Sequence, residues 1–190
     1  MSDIKRFAIF AIITNSDEEK IRSEQRHFTN LTGNTMALGF PVHITLKGRF
    51  LASKDIVVNL LNKTDLASLC SQTEIELSKP KYIYPQLSWL EVLSDTPGFN
   101  NLLFLHSFFE REINRFVVSD EVPENHKNAH FRPHITLGWG ITPRVWQKYS
   151  SIENFGSVQI GFSHIALACY HQQWPLEETV TSIMEIPIMK

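Results

Sequence analysis

Two cysteines in 190 residues, Cys70 and Cys169, rule out a disulfide framework, and neither stands at a metal-ligand spacing. The expectation is a pair of reduced, buried thiols in a cytoplasmic protein with no metal and no cofactor. Neither sign of charge is in excess. Lys and Arg number 18 against 20 Asp and Glu, for a formal net charge of −2 and a pI near 6.4, which excludes a broad basic surface for long nucleic acid. A small anion, or the end of a strand, fits better. Long apolar runs are also missing. Lys5 and Arg6 followed by Phe7 to Ile13 imitate a short signal peptide, but no small-residue cleavage site follows and the chain turns acidic at Asp17, Glu18 and Glu19. The run is far too short to span a bilayer and is read as a buried first strand. With 43% hydrophobic and 20% charged residues, the chain has the composition of a folded globular domain.

What is present is a tetrapeptide used twice: His43-Ile44-Thr45-Leu46 and His134-Ile135-Thr136-Leu137. Both copies lie in β-rich runs, where residues two apart share a face. Each histidine therefore stands beside its threonine, with Ile and Leu on the opposite, core-facing side. Strict alternation carries Lys47 and Arg49 onto the histidine face of the first copy and puts Gly48 and Phe50 behind. In the second copy it places Arg132, Gly138 and Gly140 on the polar face, where the glycines leave room for a ligand, and Ile141 and Trp139 in the core. The copies lie 91 residues apart, from position 43 to position 134, close to half the chain. Duplication is the economical explanation: a single domain over 1–190 with halves of about 1–94 and 95–190, each offering a half-site to a shared cleft.

Along the chain, Ser16 or Asp17 caps a helix to about Leu31 that Thr32-Gly33-Asn34 ends. Ser53 caps a second helix with Ile56, Val57, Leu60 and Leu61 on one side. Glu74 to Tyr84 and Leu87 to Leu93 read as strands around a turn at Pro85. Phe99 to Arg115 is a helix carrying Leu102, Leu105, Phe109 and Ile113 at helical spacing. Pro123, Asn125, His126 and Asn128 mark an exposed loop, a candidate cover for the cleft. Thr142-Pro143 starts another helix. Val158 to Tyr170 and Val180 to Ile188 complete the strands.

With its flanks, Pro41-Val42-His43-Ile44-Thr45-Leu46-Lys47-Gly48 and Phe131-Arg132-Pro133-His134-Ile135-Thr136-Leu137-Gly138, the chain resembles the two-histidine phosphoesterase superfamily, which includes RNA 2′,5′-ligase-like proteins and cyclic phosphodiesterases. The resemblance covers nearly the whole chain. It implies a bilobal α+β fold, with two antiparallel sheets flanking a central cleft and helices outside, and metal-independent chemistry on cyclic or 2′,5′-linked phosphodiesters.

The residues suit that chemistry by themselves. Hydrolysis of a phosphodiester takes a proton from water and returns one to the departing oxygen, and two imidazoles can hold those complementary states near neutral pH. His43 and His134 are the catalytic candidates, with the assignment of acid and base open. Thr45 and Thr136 are placed to hydrogen-bond non-bridging oxygens, each worth about 2–4 kcal/mol by analogy with oxyanion donors. Lys47, Arg49 and Arg132 are candidates for neutralising phosphate. Tyr82, Tyr84, Trp89 and Phe131 are candidates for stacking a base. His130 and His134 have the spacing of a helical zinc pair, but Pro133 between them breaks such a helix. The expected partner is a nucleotide or oligonucleotide, including an RNA end, met by a monomer with no membrane attachment. Three functions remain open: a cyclic phosphodiesterase favouring a 2′,3′-cyclic phosphate, a hydrolase of 2′,5′-linked or cyclic oligonucleotides, and a non-catalytic sensor of a phosphorylated ligand.

Overall fold

β1 (Ile4–Ile13) is buried on both faces from Phe7 to Ile13, which requires neighbours on each side. It has them. In a computed structural model that describes residues 4–13, 15–70, 74–83, 87–122, 130–150, 159–170 and 180–187, β1 is the middle strand of a five-stranded antiparallel sheet. The order is β10 (Val180–Pro187), β9 (Phe162–Tyr170), β1, β2 (His43–Ser53) and β6 (Ser119–Asp120). A three-stranded antiparallel sheet joins β4 (Lys81–Ile83), β5 (Leu87–Glu91) and β7 (His134–Trp139), and β3 (Ile75–Glu76) pairs with β8 (Gln159–Ile160). Each of these sheets takes strands from both sides of position 95, so the two halves of the sequence are interleaved.

Of the helices, α1 (Asn15–Thr32) ends at Gly33, whose φ of 74° is a left-handed conformation that suits glycine. α2 (Lys54–Lys63) follows β2 without a break. Ser53 occupies its N-cap position but makes no side-chain cap hydrogen bond, because it is still the buried last residue of the strand. Val57 and Leu61 face inward as expected, whereas Ile56 is exposed. A short α3 (Leu66–Leu69) and β6 were not expected from the sequence. α4 (Pro97–Ile113) buries Leu102, Leu105, Phe109 and Ile113, and α5 (Pro143–Ser150) is capped by Thr142, whose hydroxyl accepts from the Val145 N–H at 3.3 Å. The turn at Pro85 and the loop residues Pro123, Asn125, His126 and Asn128 lie outside the described residues.

The main core takes Phe7, Ile9, Ala11 and Ile13 from one face of β1, Ile44 and Leu46 from β2, Ile135 and Leu137 from β7, and the apolar stripes of α1, α2 and α4. A smaller cluster of Ala8, Phe10, Ile12, Ala166 and Ala168 occupies the other face of the five-stranded sheet. The helices thus cover one side of that sheet, and His43 projects from the other, while His134 stands on β7 of the three-stranded sheet. Cys70 is a free, buried thiol, and burial pushes it up to about 12, while Cys169 is half-buried.

Candidate active site

The two motif strands share a departure from regular pairing. Along β2, Ile12 pairs with His43 and Phe10 with Thr45, but Ile9 pairs with Lys47, so Leu46 is an extra residue. Along β7, Glu91 pairs with His134 and Trp89 with Thr136, but Ser88 pairs with Gly138, so Leu137 is the extra residue. The bulge falls on the fourth residue of the tetrapeptide in both copies. A bulge reverses the alternation beyond it.

Three expectations are corrected by that reversal. Lys47 turns to the core side, opposite Ile9. It is fully buried, and its Nζ donates to both Glu110 oxygens at 2.9 Å and to Asp120 Oδ2 at 2.9 Å, so it is a structural cation rather than a phosphate ligand. Gly138 also turns inward, where a Cβ would lie 2.4 Å from Phe28 Cε1; the space serves packing against α1 and not a ligand. Trp139 turns outward. Its ladder partner Leu87 shares a face with Trp89, so the indole joins the histidine face, and it is 49% exposed instead of buried.

Ahead of the bulges the two half-sites match closely. His43 Nδ1 lies 2.7 Å from the Pro41 carbonyl, and His134 Nδ1 lies 2.6 Å from the Arg132 carbonyl, each two residues back along its own chain. A carbonyl only accepts, so each Nδ1 carries the hydrogen and Nε2 is the basic nitrogen of the neutral ring. The cross-strand neighbour of each threonine is an aromatic ring stacked on the histidine: Phe10 on His43 at 3.8 Å and Trp89 on His134 at 4.0 Å between centroids. Thr45 and Thr136 are half-buried beside them, with no hydrogen bond to either hydroxyl among the described residues.

His43 is pulled down to about 4, chiefly because burial disfavours its charged form, with smaller contributions from the positive fields of His134 and Arg22. The field of His134 felt at His43 shows that the two rings lie within electrostatic reach of each other. Arg22, which lies on α1 far from either motif in sequence, carries no signal by which it could have been found. Phe10 and Trp139 were likewise missed, although Phe10 follows once the β1–β2 pairing is known.

The remaining candidates are dispersed. Arg132 is exposed beside His134, and Arg49 is half-buried further along β2, where its carbonyl accepts from the Glu121 N–H at 3.0 Å. Trp89 is buried beneath His134 and Phe131 stacks on His106 at 3.9 Å, so both rings already have aromatic partners. Tyr82 faces the core side and stacks on Trp146. Tyr84 lies outside the described residues. No group of three or more His, Cys, Asp or Glu that could hold a metal occurs among the described residues.

No family model matches the chain, and no curated protein matches it. Solved structures do. Escherichia coli LigT complexed with 3′-AMP aligns with a TM-score of 0.51 at 16% identity, covering 97% of this chain and 95% of that one. LigT in apo form aligns at 0.50 and 18% identity over 98% and 95%, and a phosphoesterase aligns at 0.50 and 14% identity over 96% and 98%. The chain has the LigT fold. That fold supplies two antiparallel sheets around a central cleft, with one motif strand in each. No helix among the described residues is long and apolar enough to cross a membrane.

The burial of His43 in this LigT-fold site has a consequence for stability. Its proton affinity is lower folded than unfolded, so the stabilisation is complete above about pH 6.5 and is lost as pH falls through 6.5 towards 4. His106, also pushed down by burial, acts in the same direction. Urea denaturation of the ligand-free protein should show a loss of about 1–2 kcal/mol attributable to His43 between roughly pH 7 and pH 5, and His43→Gln should remove that part of the slope. A slope unchanged in His43→Gln would show that the ring is not held neutral.

Proposed function

We propose that the chain is a two-histidine phosphoesterase that hydrolyses a cyclic nucleotide-type phosphodiester, favouring a 2′,3′-cyclic phosphate, without a metal ion. The observation that supports this reading is a pair of imidazoles within electrostatic reach of each other, each fixed through Nδ1 to a carbonyl two residues back and each on the strand face of a threonine whose hydroxyl has no hydrogen bond among the described residues. His43, kept neutral by burial, is the base that takes a proton from water as its oxygen bonds to phosphorus. His134, whose stacked indole favours a cation more than the benzene ring of Phe10 does, is the acid that protonates the ring oxygen as the P–O bond breaks. The product is a nucleoside monophosphate. Thr45 and Thr136 hold the non-bridging oxygens where charge builds up. The complex of LigT with 3′-AMP supports a nucleotide as the ligand class. Both half-sites come from one chain, which suits a cytoplasmic monomer.

Trp139 is the residue on the histidine face suited to stack the base. Base stacking is worth about 1–3 kcal/mol, so Trp139→Ala should raise KM about 5- to 150-fold at nearly constant kcat. A fall in kcat at constant KM would remove that role.

The test is turnover, with EDTA present, of 2′,3′-cyclic and 3′,5′-cyclic nucleotides, 2′,5′-linked dinucleotides and cyclic dinucleotides. Preferred hydrolysis of the 2′,3′-cyclic compounds supports the proposal. Preference for the 2′,5′-linked or cyclic dinucleotides favours an oligonucleotide hydrolase, and binding without turnover favours a sensor.

A further inference from the structure

Acid and base catalysis from two sheets requires the two histidines to stay in fixed relation, although they belong to strands that do not pair with each other. Two helices bridge them in a crossed arrangement. On α1, the buried Gln25 donates through Nε2 to the Thr136 carbonyl at 3.0 Å, gripping the second motif strand. Its Oε1 accepts from Arg22 at 3.1 Å, and Arg22 in turn donates to the Ala37 carbonyl at 3.2 Å and to the Phe40 carbonyl. Phe40 precedes Pro41, whose carbonyl holds His43. The pair thus runs from the backbone of one motif to the segment that orients the histidine of the other.

α4 repeats this in the opposite sense. The buried His106 lies 2.7 Å through Nδ1 from the Leu46 carbonyl, at the bulge of the first motif strand. Its ring lies flat on Phe131, at 3.9 Å and 6°. Phe131 precedes Arg132, whose carbonyl holds His134. Phe40 and Phe131 occupy the same position three residues ahead of their histidines.

We infer that Gln25 with Arg22 on α1, and His106 on α4, are positioning residues that form two crossed braces, each tying one motif strand to the segment that orients the other motif's histidine. None touches the reacting atoms; they set the separation of the two Nε2 atoms. The inference rests on the two-histidine reading of the site. A misplacement of about 1 Å can cost on the order of 100-fold in rate, so loss of a brace shows in kcat and not in affinity.

The test uses the full chain with Gln25→Met, which removes the donor to Thr136 at similar volume, and His106→Phe, which keeps the stack on Phe131 and removes the bond to Leu46. His106→Asn keeps a donor at the place of Nδ1 but gives up the stack on Phe131, so it breaks the same brace at its other end. Steady-state kinetics on the preferred cyclic nucleotide should show kcat lowered about 10- to 100-fold in all three variants with KM within about threefold, and wild-type kcat in His106→Asn would overturn the role of the stack. Crystal structures of Gln25→Met and His106→Phe should show the His43 and His134 Nε2 atoms displaced relative to each other. Unchanged separation overturns the proposal whether or not any substrate is turned over, and so does an effect on KM alone. The wild-type substrate panel judges the phosphoesterase reading separately, so either can fail without the other.

Discussion

His43→Gln and His134→Gln are each expected to lower kcat by about 10²–10⁴-fold, the usual contribution of a positioned proton-transfer group. The double variant should be little worse than either single one. Water activation and leaving-group protonation occur in one displacement, so removing one partner removes most of what the other contributes. KM should change little, because the ligand contacts proposed for Thr45, Thr136 and Trp139 remain. Steady-state kinetics of the three variants check this. Losses that simply multiply would mean that the rings act in separate steps.

Lys47→Met is expected to destabilise the fold by about 3–5 kcal/mol, the range for breaking a buried ion pair by removing one partner. Lys47 is the cation between Glu110 on α4 and Asp120 on β6, and its loss leaves two carboxylates facing each other out of water. Adding Glu110→Gln and Asp120→Asn should recover much of the loss, since neutral amides avoid the stranded charge. Urea denaturation measures both steps. The folded fraction should keep its affinity for the cyclic nucleotide. A large rise in KM at full folding would return Lys47 to the role of phosphate ligand that strict alternation assigns it.

That misplacement shows where the sequence stops being legible. Through Thr45 and Thr136, period-two alternation held, and the sequence correctly placed Ile44, Leu46, Ile135 and Leu137 in the core. One extra residue just after each threonine then reversed the pattern, so Lys47, Gly138 and Trp139 were all assigned to the wrong side for the same reason. A bulge at a leucine leaves no mark in composition, since the unpaired residue is as apolar as its paired neighbours. The long elements were readable because their apolar spacing is regular. β6 was not, with only Ser119 and Asp120 paired to β2. Gln25, Arg22 and His106 were invisible for a different reason. They act on backbone carbonyls of strands distant in sequence, and such bonds impose no pattern on the residues that accept them.

The same bulge explains why the half-sites are equivalent only in part. Both copies keep the imidazole, the hydroxyl and the ring stacked beneath, and both bend after the threonine. Beyond the bend, Lys47 of one strand enters a buried ion pair, while the other strand ends in an exposed indole. The half-sites match at the imidazole and hydroxyl and differ beyond them, which suits the proposed cleavage of a small phosphate carried on a larger nucleoside.

The most direct test of the central claim is the pH dependence of kcat/KM for a 2′,3′-cyclic nucleotide in the presence of EDTA, for the wild type and each single histidine variant. The account predicts a bell-shaped profile that survives the chelator, with the acid limb near pH 4 where His43 takes up its proton. The acid limb should vanish in His43→Gln and the alkaline limb in His134→Gln. Activity abolished by EDTA, or a bell left intact in both variants, would contradict two-histidine catalysis.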